Sequence, residues 1–155
     1  MGSSSLYVSE SVIDSAVGIL LVKTPSTANA MTVSFFSEVA HHPTGLWVAV
    51  APTTYSHSLI QDTCRFSLAV LNQHQQSIAL ACGSVSGRDR DKCSDLDLYE
   101  SRGGFLFLNH ALASTGCTLR ATRAIGDHTL FIADIAEAEI DLGSSQTRHL
   151  LLSDL

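Results

Sequence analysis

The chain has 155 residues, 45% hydrophobic and 15% charged, which is enough to enclose one core without metal or disulfide staples. Nine basic against fifteen acidic residues give a net charge of −6, spread along the sequence. No basic stripe is available to neutralise a nucleic-acid backbone, and no apolar run reaches the length of a membrane-spanning helix.

Met1–Ser5 has no basic start and no apolar stretch follows it, so no secretory signal is read there. Residues 1–11 are expected to form a disordered start and residues 12–155 a single domain. A reducing, cytoplasmic setting is expected, in which Cys64, Cys82, Cys93 and Cys117 would be free thiols. None of them sits in a C-x-x-C pair, and their gaps follow no metal-ligand rule. A surface so poor in charge, with a mean hydropathy of +0.21, points to partial cover by a second subunit.

Short apolar or alternating runs separated by turn residues predict a mainly β barrel or sandwich with a few short helices. Val17–Thr24 reads as a strand ended by Pro25-Ser26-Thr27, and Asn29–Phe36 as a second. Leu46–Ala51 is apolar throughout, hence buried on both faces, and Pro52 stops it. A helix is expected over Ser56–Asp62 with Ser56 as its N-cap. Arg65–Leu71 alternates, placing Phe66, Leu68 and Val70 on one face and Ser67 and Ala69 on the other. Gln73–Ala81 reads as a helix stopped by Gly83, followed by a polar loop over Ser84–Asp97. Cys117, Leu119 and Ala121 alternate with polar residues; Gly126-Asp127 then turns the chain into a strand over Thr129–Ile140.

Four places carry chemistry. Thr32 and Ser34 share a strand face opposite Met31, Val33 and Phe35, giving either a pocket edge or an ordinary solvent face. Thr53-Thr54-Tyr55-Ser56-His57 sets hydroxyls and an imidazole at a helix start, where unpaired N–H groups favour a phosphate. Arg88-Asp89-Arg90-Asp91-Lys92 holds three of the nine basic residues and would supply partners for an anion, though alternating charge also suits a solvated loop. His128 follows the Gly126-Asp127 turn and offers a group that titrates near neutral pH. No G-x-S-x-G elbow supports hydrolysis, no Walker or Rossmann glycine pattern occurs, and His41-His42 lacks a third metal ligand.

In their order along the chain these segments resemble a known family. Met31-Thr32-Val33-Ser34-Phe35-Phe36-Ser37, Pro43, Ser56-His57, Gly87–Lys92 and Gly126-Asp127-His128-Thr129-Leu130-Phe131 together look like the flavin reductase-like family. That resemblance spans roughly Val12 to Glu139 and implies an FMN-binding split β-barrel of Greek-key type. It implies a homodimer that binds FMN, with FAD as the other option, and uses NAD(P)H as co-substrate. The activity implied is NAD(P)H-dependent flavin reductase, an oxidoreductase passing a hydride to flavin, whose reduced product serves a partner oxygenase or another acceptor. The alternatives are an electron-transfer protein of the flavoredoxin type, or a flavin-binding module of a larger flavoprotein without NAD(P)H turnover. By the same resemblance, Met31, Thr32, Val33, Ser34 and Ser37 face the ring and ribityl chain. Thr53, Ser56, His57 and Lys92 hold the phosphate, and His128 is the catalytic residue at the nicotinamide end. The chain departs from the family pattern at Glu38 and Ala40, where hydroxyl residues are common, and at Cys93, where an aromatic is common.

Overall fold

The computed structural model describes residues 11–141 and 147–155. The expected disordered start at residues 1–11 lies, apart from Ser11, outside them. Apolar β-branched runs broken by proline and polar turns give a chain built largely from strands. β1 is Gly18–Lys23, β2 Ala28–Val33, β3 Phe36–His41 and β4 Thr44–Val50. Helix α1, Tyr55–Thr63, leads into β5, Arg65–Val70, and helix α2 is Gln76–Gly83. A short ribbon follows, β6 Leu98–Glu100 with β7 Leu106–Leu108, before the long hairpin of β8, Ala113–Ile125, and β9, His128–Ile140.

Seven strands form one antiparallel sheet in the order β2-β1-β5-β8-β9-β4-β3. Its order is not sequential, because α1 carries the chain from β4 across to β5 beside β1. One face of that sheet closes on itself. Leu20 and Val22 of β1, Val33 of β2, Val48 of β4, Phe66 of β5, Cys117 of β8 and Phe131 of β9 belong to a single buried cluster. Such distant strands share one cluster only if the sheet curls into a barrel. Leu59 and Ile60 of α1 plug one part of it. Where β2 gives way to β3, Ala49 N–H donates to Phe35 O at 2.9 Å and ties the two edges of the curl together.

The outer face of β1 is buried as well. Ile19 and Leu21 join Ala30, Ala69, Ala79 and Cys82 in a second cluster, so α2 lies against β1 and β2 from outside. Leu150 and Leu152 complete that layer, with Val17 N–H donating to Leu150 O at 2.8 Å.

Several boundaries differ from the sequence-based expectation. The strand expected over Asn29–Phe36 ends at Val33; Phe36 opens β3, which pairs with β4 through a bulge between Glu38 and Ala40. Exposure of Ser37–His41 removed the apolar alternation that marks a strand. Ribbon β6–β7 lay in a segment too short to register. Thr54, not Ser56, caps α1: its Oγ1 accepts from His57 N–H at 3.3 Å, and Ser56 is fully buried in the first turn. Helix α2 starts at Gln76, not Gln73, because Gln75 Oε1 accepts from Asn72 N–H at 2.9 Å and holds a turn there. The β8–β9 hairpin turns at Gly126, whose φ of 56° suits glycine, and pairs Ile125 with His128. No helix among the described residues is long and apolar enough to cross a membrane.

Phe66 is 2% exposed and central to the barrel cluster. Truncating Phe66→Ala should destabilise the fold by about 3–5 kcal/mol, read as a lowered midpoint in urea unfolding.

Candidate functional site

Between β2, the start of α1 and the loop after α2 lies an open cleft of about 410 Å³. Asn29, Met31 and Thr32 form its β2 wall, Thr53, Thr54 and Tyr55 its α1 wall, and residues 82–87 with Lys92 the third side. The placement follows from packing, since α2 must cover Ile19 and Leu21 and the loop leaving it must then return past β2. No aspartate or glutamate among the described residues lines the cleft.

On the α1 wall, the first-turn N–H groups of Tyr55 and Ser56 have no carbonyl one turn back in the helix. Opposite, Lys92 is only 6% exposed and forms no ion pair with a carboxylate among the described residues. Its Nζ donates to Cys82 O at 3.0 Å and Val85 O at 2.8 Å, holding the end of α2 to the loop. Burial lowers the pKa of Lys92, with Cys82 and Cys93 acting the other way. At the rim Arg88 donates to Thr53 O at 3.2 Å, and its guanidinium lies 5.2 Å from the centre of the Tyr55 ring. These groups offer an anion several donors and no competing negative charge.

The expected residues divide into two sets. Met31, Thr32, Thr53 and Lys92 meet in the cleft. Thr32 Oγ1 also donates to Ala79 O at 2.6 Å, so its hydroxyl anchors α2. Val33 points into the barrel at 5% exposure, and Ser34 is half-buried at the end of β2. Ser37 is exposed on β3, where its Oγ donates to Glu38 O at 2.9 Å; Glu38 is also exposed and lines no part of the cleft. Ser56 and His57 lie behind the α1 wall. Ser56 Oγ accepts from Asn29 Nδ2 at 2.9 Å. The His57 ring turns inward, with Nε2 hydrogen-bonded to Thr129 Oγ1 at 2.8 Å and its centre 5.1 Å from that of Phe131. Burial lowers its pKa, which favours a neutral imidazole.

His128 stands at the start of β9, pinned through Nδ1 to Asp127 Oδ1 at 2.7 Å and edge-on to Phe35 at 5.2 Å. The hydrogen bond from His128 holds the Asp127 carboxyl below the usual carboxylate range. Fixing Nδ1 leaves Nε2 as the free ring nitrogen. Read from sequence, Asp127 is a turn residue only, and Asn29, Tyr55 and Gly87 carry no individual role. A carboxamide in the otherwise apolar start of β2 was the one available signal for Asn29.

Burial pushes the thiols of Cys93 and Cys117 up to about 11 and about 12, and that of Cys82 upward too. Cys64 is exposed.

The lowered pKa of His57 sets a pH dependence. Above an ordinary imidazole value of ~6.5, its neutral form contributes fully to stability. As the pH falls toward the lower folded value, the unfolded chain takes the proton first and that stability is lost. Melting temperatures measured from about pH 8 to 5 should therefore fall less steeply for His57→Gln than for the parent protein.

Residues 13–154 match the family model described as "Flavin reductase like domain". The reductase component of an FADH(2)-dependent resorcinol hydroxylase from a Rhizobium strain is 31% identical, aligned over 79% of this chain and 66% of its own length. An NADH-dependent flavin reductase from Rhodococcus is 25% identical over 83% of this chain and 73% of its own. For four of the curated relatives, the chain spans between 54% and 67% of their length. Among solved structures, the NADH:FAD oxidoreductase SgcE6 of Streptomyces globisporus C-1027, in complex with NAD and FAD fragments, superposes with a TM-score of 0.81. It is 21% identical and covers 92% of this chain and 82% of its own, which identifies the common fold as the split barrel. With a family match over almost its entire length and a curled sheet of the same kind, the chain belongs to the flavin reductase-like family.

Proposed function

We propose that this protein is an NAD(P)H-dependent flavin reductase that holds FMN, with FAD as a second substrate, in the cleft between β2, α1 and the loop after α2. One observation carries the reading: threonine hydroxyls, the start of α1 and a buried ammonium line a groove with no carboxylate among the described residues of its walls. In a chain of net charge −6, such a groove suits a phosphorylated ligand.

Lys92, Thr53 and the start of α1 bind the phosphate. Ser56 and His57 support that wall from behind. Met31 and Thr32 contact the rest of the ligand, and the Val33–Ser37 backbone continues that surface. When bound, a flavin supplies the redox chemistry, accepting a hydride from the reduced nicotinamide. Protein groups orient the two partners and exclude water. With Nδ1 held by Asp127, His128 presents Nε2 to the nicotinamide side and acts as a hydrogen-bonding or proton-holding group there. Relatives named as a hydroxylase's reductase component and as an NADH-dependent flavin reductase support both the nicotinamide donor and a partner oxygenase as acceptor.

Phe35, Val39 and Ile125 are 47%, 58% and 62% exposed, with Phe35 against His128. A second copy of the chain covering these side chains would bury exposed apolar surface beside His128, and we include a homodimer in the proposal.

Fluorescence titration with FMN, followed by NADH or NADPH oxidation with and without added flavin, tests the function. Saturable binding and flavin-dependent oxidation are expected; absence of binding at large excess of FMN refutes the reading. Bound flavin that no nicotinamide reduces would make the protein an electron carrier. Lys92→Ala should weaken FMN by about 1.5–3 kcal/mol. His128→Ala should slow flavin reduction far more than it weakens FMN, as stopped-flow reduction and titration read side by side will reveal. Ile125→Asp should shift sedimentation toward monomer.

A further inference from the structure

Asn29 is 2% exposed, lines the cleft, and touches both of its other walls. Its Nδ2 donates to Ser56 Oγ at 2.9 Å, tying β2 to the first turn of α1. Its Oδ1 is buried without a hydrogen-bond partner among the described residues and faces Gly87 of the charged loop. The contact is so close that a Cβ placed on Gly87 would lie 1.9 Å from Oδ1. From Gly87 the loop sends Arg88 to Thr53 O and Lys92 to the end of α2. A single carboxamide thus sets the distance between the helix start and the basic loop.

Stability alone does not explain an amide here. A buried acceptor with no partner is costly, and an apolar side chain of the same shape would avoid that cost. What an amide supplies and leucine does not is a fixed anchor for Ser56, itself fully buried, and so a fixed place for the unpaired N–H groups beside it.

We propose that Asn29 is a positioning residue that sets the protein's preference for a phosphorylated flavin over an unphosphorylated one. It does so by holding the helix start and the Gly87–Lys92 loop at the separation a phosphate needs. This rests on the flavin reading above and goes beyond it by assigning the discrimination to a residue that need not touch the ligand. Gly87 is the second half of the device, since a Cβ there forces either the loop or the Asn29 carboxamide out of its place.

The test compares dissociation constants for FMN and riboflavin, by fluorescence titration, in the parent protein, Asn29→Leu and Gly87→Ala. Melting temperature and circular dichroism report folding in parallel. The parent should prefer FMN; each variant should lose that preference by about tenfold, while riboflavin binding changes little. Loss of both flavins in equal measure makes Asn29 merely structural and overturns the proposal, as does a ratio that stays unchanged. Gly87→Ala lies in a loop outside both buried clusters, so it remains informative should Asn29→Leu fail to fold. A parent protein that binds neither flavin removes the underlying reading, and this inference with it. A parent that prefers FMN, with variants that do the same, overturns the inference alone.

Discussion

Strand β1 has apolar side chains on both faces, and much of the molecule is arranged to keep water from both. Leu20 and Val22 point into the barrel, Ile19 and Leu21 out of it. Each such side chain is worth about 1.5–3 kcal/mol when fully buried, so leaving the outer pair exposed would sacrifice a large part of a small domain's stability. Helix α2 and the Leu150–Leu152 segment supply the cover. Because α2 must sit there, the polar chain that follows it has to pass the edge of β2, opposite α1. The cleft is the gap left by that packing.

Around the cleft, polar side chains serve two different ends. Some face the open space, as Lys92 and Thr53 do. Others hold the walls: Thr32 binds α2, Ser56 binds Asn29, and His57 binds Thr129 across the barrel. Ser56, His57 and Asn29 in the second group are buried, and their buried polar atoms are satisfied internally except for one oxygen of Asn29. Lys92 belongs to both groups, since its ammonium bridges the end of α2 to the loop while lining the groove.

Reading the sequence located most of the framework because the strands advertise themselves. Val17–Val22 and Leu46–Val50 are apolar at almost every position, and Gly126-Asp127 between two alternating runs fixes a hairpin. Where the rule failed, the physics that makes it work was missing. β3 is exposed and bulged, so it has no buried face to leave a period, and Thr54 won the cap over Ser56 because Ser56 was needed inside. In the site, residue types were legible but directions were not. A histidine one step into a helix can face the groove or the core, and only the positions of Thr129 and Phe131, more than seventy residues later, turn His57 inward. The contacts of Asn29 with Ser56 and Gly87 are likewise distant in sequence and leave no local trace.

The four thiols carry a consequence for how such a protein ages. Oxidants attack the thiolate, and burial keeps Cys82, Cys93 and Cys117 protonated far above neutral pH. The protein's sulfur chemistry is sheltered at all three of these positions, which leaves surface-exposed Cys64, just after α1, as the place where oxidative wear would first be recorded.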